Sequence, residues 1–369
     1  MITLFGENYT RSELMRHLGD ISQLARILPV RIQDGREDQV LSYEVKTGSG
    51  LNYSVIASRG LDISSASYCG CSLAWRSATS DSHPAFFDHE GEDGKGWLRS
   101  FAGGLVTTCG LSQVGATCID KGQKLGLHGR INNTPAYQVS YSGAWDGDDY
   151  LLTITGKMRE ATVFGENLEL TRTIQSRLGS NRIDIHDQVE NLGYISAEHM
   201  MLYHINIGFP LVTAKSLFIA PSINVEPRDE RAKSGLQTHH LMQLPDPAYA
   251  ESVYFHTFSG DLSTVNTAIV NPNLKINGSN GLGIKCTFSP EQLPRFTQWK
   301  MMGSGTYVVG MEPSNCSVLG RAIERANGSL LFLEPGEIKN YDIILEVIFE
   351  DEISELMQES ENVKRMPRE

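Results

Sequence analysis

After residue 30 the chain settles into short segments in which every second residue is apolar, and that alternation constrains its fold more than any other feature. Asn52-Tyr53-Ser54-Val55-Ile56-Ala57 and Arg182-Ile183-Asp184-Ile185-His186-Asp187-Gln188-Val189 show it plainly. A period of two puts successive side chains on opposite faces of a pleated strand, one face buried and one wet. The spacing predicts strands at 40–45, 51–57, 151–155, 168–174, 182–189, 200–207, 267–270, 283–288, 307–311 and 341–348. Turn-forming residues separate them, as in Asn191-Leu192-Gly193 and Pro335-Gly336. With 35 glycines and almost no helical periodicity beyond residue 30, the chain reads as a large antiparallel β protein.

The ends depart from this texture. Thr10 and Glu13 have the spacing of a capping box, with Leu14 and Leu18 on one helical face and Gly19 as a stop. The expected organisation is therefore a helical N-terminal extension over 1–30, one β-sandwich domain over 31–350, and a charged tail over 351–369 that reads as a fraying helix end. The stretch 77–95 carries His83, His89, Asp81, Asp88, Glu90, Glu92 and Asp93 without metal-ligand spacing and reads as a solvated insertion.

A net charge of −12, with no Lys/Arg cluster, argues against a nucleic-acid or anionic-membrane partner. No run approaches the ~18 apolar residues of a membrane span. Met1-Ile2-Thr3-Leu4-Phe5-Gly6 has no basic region ahead of an apolar core, so a cytoplasmic protein is expected. The six cysteines form no Cys-x-x-Cys pair and read as packed, reduced thiols, Cys109 being the one to consider as a nucleophile. No metal or other cofactor is expected.

The candidate chemistry gathers at three places. Tyr307-Val308-Val309-Gly310-Met311 is a buried-strand pattern closed by Pro313, and Glu312 ends it. A carboxylate there loses water, which raises its pKa and makes it a better proton acceptor near neutrality; capping a loop or pairing with Arg321 is the structural alternative. His204 interrupts the apolar run Met201-Leu202-Tyr203, where a buried imidazole needs a partner or a ligand. His128 lies in the loop Leu127-His128-Gly129-Arg130. Two histidines and one carboxylate suffice for acid/base chemistry on a hydroxyl. Arg59 and Asp62 follow a strand and could present a guanidinium to substrate oxygens or form a local ion pair. Glu160, Glu226, Arg228, Gln298 and Lys300 lie at strand–loop junctions and are lesser candidates for substrate binding. Trp299 could stack on a sugar or pack in the core. The small-residue run Phe101-Ala102-Gly103-Gly104 suggests close backbone approach rather than a phosphate cradle.

In these stretches the sequence resembles the aldose 1-epimerase (galactose mutarotase) superfamily, and most closely an aldose-epimerase-like group within it. The resembling segments are Arg59-Gly60-Leu61-Asp62, Gly103 to Gly110, Leu127-His128-Gly129, Arg159-Glu160-Ala161, Tyr203-His204-Ile205-Asn206, Gly310-Met311-Glu312-Pro313 and Leu333-Glu334-Pro335-Gly336-Glu337, in family order. The resemblance implies a supersandwich with a sugar cleft on a concave sheet. It implies Glu312 as the base that takes the anomeric proton, His204 as the acid at the ring oxygen, and His128 and Arg59 as sugar-binding groups. The family's substrate-binding aspartate has no clear match, Glu226 and Asp229 being nearest. The implied activity is interconversion of sugar anomers on a small-molecule sugar, by a monomer or homodimer. A non-catalytic sugar-binding or sensing protein, and other proton-transfer chemistry in the same cleft, remain alternatives. Glycosidic cleavage needs two facing carboxylates, and the sequence offers one convincing candidate.

Overall fold

The computed structural model describes residues 1–365. Each expected strand is present, and most run longer than the alternation alone indicated: Asp149–Ala161, Asn167–Arg177 and Ala197–Gly208 continue through polar positions because neighbouring strands satisfy their backbone groups. All pairings between these strands are antiparallel.

The strands form an eight-stranded, a seven-stranded and a five-stranded sheet. The eight-stranded sheet runs from Tyr137–Asp146 at one edge, through Arg182–Asn191 and Ile338–Ile348, to Leu217–Ile219 at the other. The seven-stranded sheet is centred on Arg295–Gly303, Thr306–Ser314 and Ala197–Gly208, with Thr107–Leu111 also pairing to the last of these. One continuous apolar core unites them, drawing Ile185, Leu345 and Ile284 from the larger sheet and Tyr203, Ile205 and Met311 from the smaller. This is a large antiparallel β-sandwich, the architecture that the family resemblance implies.

The N-terminus differs from the sequence-based expectation. Thr10 and Glu13 do form a capping box, but on a helix of five residues, Arg11–Met15. Residues 1–30 hold more strand than helix, and Arg26–Arg31 crosses the expected boundary to join the five-stranded sheet. The long helix lies at the other end, where Glu350–Arg365 buries Ile353 and Leu356 against Ile219 and Val270. Among the described residues no helix is long and apolar enough to cross a membrane.

The stretch 77–95 is also more than a solvated loop. Asp81 is buried, accepts a hydrogen bond from Ser64 Oγ and pairs with Arg76 at 2.7 Å. These anchors fold the segment onto the open face of the seven-stranded sheet, where Ser77, Ala78 and Thr79 form part of a wall.

Candidate active site

Sheet register builds the centre of the site. Leu202 pairs with Ser314 and Ile205 with Met311, which sets His204 opposite Glu312 on the adjacent strand. Period two then divides the faces. Tyr203, Ile205 and Met311 point into the main core, while Met200 and Leu202 pack with Trp97 and Phe101 on the other side. His204 and Glu312 belong to that second face and line a cleft of about 660 Å³.

Glu312 Oε1 lies 3.2 Å from His204 Nε2. The contact is at ion-pair distance without aligned hydrogen-bond geometry, and Oε1 has no hydrogen-bond partner among the described residues. His204 Nδ1 and His128 Nδ1 are likewise buried and unpartnered. The two imidazole centroids are 5.8 Å apart. Buried polar atoms without partners are costly, so three of them in one corner of a cleft mark a place made for a polar ligand.

Burial also sets the protonation states. It pushes the Glu312 carboxyl well above its ordinary range, an effect that the nearby Glu251 reinforces and Arg228 opposes. It pushes the His204 imidazole down to about 3, with His128 adding to the shift, and the His128 imidazole down to about 4. Both members of the Glu312–His204 pair are driven toward their neutral forms, so near neutral pH the pair holds one proton between them.

Aromatic rings enclose this corner. Phe101 and Trp299 sit 5.1 and 5.2 Å from His204, centroid to centroid, and Trp97 sits 4.6 Å from His128. Trp75 completes the enclosure, 5.7 Å from Phe101 and 6.1 Å from Trp299. Two glycines make room. A Cβ on Gly103 would come within 2.6 Å of the Trp75 ring, which is the close approach the small-residue run implied. A Cβ on Gly310 would come within 2.6 Å of Glu312 Oε1 and 3.0 Å of Trp299 Cβ.

Residues 38–347 match the family described as a domain of unknown function, DUF4432. The chain belongs to this family. No curated protein matches it. Among solved structures, the DUF4432 chain is similar to a proposed aldose 1-epimerase from Klebsiella pneumoniae, with 25% identity over 93% of this chain and 90% of that one and a TM-score of 0.85. It shares its fold with a galactose mutarotase-like protein from Clostridium acetobutylicum (12% identity, 89% and 100% covered, TM-score 0.55). It also shares it with a galactose 1-epimerase from Lactobacillus acidophilus (11% identity, 88% and 99% covered, TM-score 0.54).

Of the residues singled out from the sequence, Glu312, His204, His128 and Arg228 line the cleft, as does Trp299. The others do not. The Arg59 guanidinium is buried beneath the wall, donating to the Ser82 and Ser100 carbonyls. Asp62 accepts from Thr108 N and Oγ1 and pairs with Arg172 at 2.7 Å, and Arg172 also pairs with Asp187 at 2.6 Å. That network lies under the strand bearing His204, with Asp187 accepting from Tyr203 Oη. Glu160 accepts from Leu111 N and Ser112 Oγ, and exposed Glu226 accepts from Asn224 Nδ2.

Gln298 and Lys300 fail for a simple reason. They alternate with Thr297, Trp299 and Met301, which face the cleft, and so point to the opposite side of the sheet. Gln298 there bonds His239 and His256, and Lys300 donates to the Thr238 and Leu241 carbonyls, with burial lowering its pKa to about 8. Cys109 is fully buried and burial raises its pKa well above the ordinary thiol value, the opposite of an activated nucleophile.

The sequence reading missed Glu251, Trp75 and Trp97, and Phe101 as a ring in the cleft. Glu251 immediately precedes the strand Ser252–Phe258, with no motif around it, and reaches the cleft only because Val253 pairs with Trp299. It accepts from Arg228 Nη2 and Trp299 Nε1, both at 2.9 Å. The cleft thus contains two carboxylates where the sequence suggested one. Among the described residues no group of three or more His, Cys, Asp or Glu is arranged to hold a metal ion.

Proposed function

We propose that this protein is an isomerase that interconverts the α and β anomers of an aldose by acid/base ring opening. Glu312 takes the proton from the anomeric hydroxyl while His204 delivers one to the ring oxygen. The C1–O5 bond breaks as the C1=O1 double bond forms, giving the open aldehyde. Rotation about C1–C2 and return of both protons close the ring with either configuration. The step begins from the tautomer in which the pair's proton is on His204. That tautomer has the same proton count as the neutral one, so no proton need come from solvent.

The observation that carries this reading is the buried cross-strand pair, with a carboxylate oxygen and imidazole 3.2 Å apart in an aromatic cleft. That spacing lets one group reach the exocyclic oxygen and the other the ring oxygen of one hemiacetal carbon, and His128 is close enough to bind an adjacent hydroxyl. The second carboxylate fits cleavage poorly, because both its oxygens are engaged by Arg228 and Trp299. The reading accords with the activity proposed for the Klebsiella pneumoniae neighbour.

The test is the rate at which freshly dissolved aldoses reach anomeric equilibrium, followed by polarimetry or exchange NMR. Acceleration by the wild type that is lost in Glu312→Gln is expected. Equal rates with and without the protein across a broad panel of neutral and acidic aldoses would overturn the assignment.

A further inference from the structure

Resting on the isomerase reading above, we infer that the preferred substrate is a deoxyaldose, a sugar in which a methyl or methylene group replaces a hydroxyl-bearing carbon away from the anomeric centre. The cleft gathers its buried, unpartnered hydrogen-bonding groups at one corner. Each buried sugar hydroxyl brings a donor and an acceptor that must find partners. The buried side-chain polar atoms without a hydrogen-bond partner among the described cleft residues are His128 Nδ1, His204 Nδ1 and Glu312 Oε1, all at the corner assigned to the anomeric carbon.

Elsewhere several polar groups are already engaged. Trp97 Nε1 donates to Asn132 Oδ1, and Trp299 Nε1 to Glu251. Both indoles therefore turn carbon faces to the cleft. Arg228 and Glu251 hold each other at 2.9 Å. Ser77 Oγ donates to the Phe101 carbonyl and accepts from Thr79 N. Beyond them, Thr297 and Thr306 apart, the walls are largely carbon, from Leu98, Leu127, Ala116, Val318 and Met301.

A hydroxyl set against those walls loses its water partners and gains none, whereas a methyl or methylene group buries apolar surface there. C–H bonds also stack favourably on the aromatic faces. At about 660 Å³ the cleft has more than enough room for a fully hydroxylated hexose, so the discrimination comes from polarity and not from size.

The experiment uses matched pairs: L-fucose with L-galactose, L-rhamnose with L-mannose, and D-quinovose with D-glucose. Anomeric exchange is measured for each sugar. Binding is measured separately from the quenching of tryptophan fluorescence, to which Trp75, Trp97 and Trp299 contribute. In at least one pair the deoxy member should exceed its parent in kcat/KM by ~10–10²-fold, the usual scale of discrimination by an apolar pocket. Parents turned over as well as, or better than, deoxy members in every pair would overturn this inference and leave the isomerase reading intact. Tighter binding of a deoxy member with no acceleration of any sugar would keep the ligand class and remove the isomerase. If no sugar were accelerated and no deoxy member bound more tightly than its parent, both would fall.

Discussion

Glu312 and His204 are cross-strand neighbours, their Oε1 and Nε2 atoms 3.2 Å apart on the open face of the seven-stranded sheet. Their separation is therefore fixed by backbone ladders rather than by loops, the arrangement in which catalytic geometry is held most precisely. A one-residue slip of either strand would turn one of the two side chains into the main core.

Replacing the carboxyl with its amide keeps shape and burial while removing the proton acceptor. Glu312→Gln is expected to fold with an unchanged circular dichroism spectrum and to lose ~10²–10⁴ in kcat. Exchange NMR on any sugar that the wild type turns over reads the loss directly. Wild-type turnover in this variant would mean that the base lies elsewhere.

The pH profile follows from the single shared proton. Below the lower of the pair's two apparent pKa values both groups are protonated and the acceptor is gone; above the upper one both are deprotonated and the donor is gone. A bell-shaped kcat/KM profile is expected. Because burial lowers the His204 imidazole to about 3 and raises the Glu312 carboxyl, the acid limb should fall well below the ~6.5 of an ordinary histidine. An acid limb centred near 6.5 would show that His204 is far less desolvated during turnover than in this structure.

The sequence made the sandwich legible because alternation survives wherever one face of a strand is buried, as at 182–189. The edge strand Tyr137–Asp146 escaped notice because it is exposed on both faces over most of its length and so carries no such contrast. At the site, His204 and Glu312 stood out because a charge or imidazole is costly in an apolar run. Glu251 did not stand out, because an acid beside a loop costs nothing until the fold brings Trp299 and Arg228 to it. Arg59 and Asp62 were visible for a different reason from the one inferred. Both are buried polar groups, and their partners are main-chain carbonyls, Thr108 and Arg172 rather than a ligand.

Gly310 tests how finely the carboxylate is positioned. Its backbone does not require glycine, yet a Cβ would come within 2.6 Å of Glu312 Oε1 and 3.0 Å of Trp299 Cβ. Gly310→Ala must push the carboxylate or the indole aside, an overpacking that typically costs ~1–3 kcal/mol. The expected result is a folded protein with a lower Tm and a kcat reduced at least ~10-fold. Unimpaired turnover would show that Glu312 reaches the sugar from another rotamer.

Arg59 separates support of the wall from contact with the sugar. Its guanidinium is buried and donates to the Ser82 and Ser100 carbonyls, which bracket the segment that folds over the cleft. Arg59→Ala removes both donors, and carbonyls left buried and unpaired cost ~1–3 kcal/mol. The variant should melt at a lower temperature. Its KM should rise because the bracketed segment that brings Trp97 and Leu98 to the cleft loosens, while kcat should change little because Glu312 and His204 are held by other strands. Urea denaturation followed beside steady-state kinetics gives both readouts. A large loss of sugar binding at unchanged stability would instead mean that the guanidinium swings out to the ligand, as the family resemblance implied.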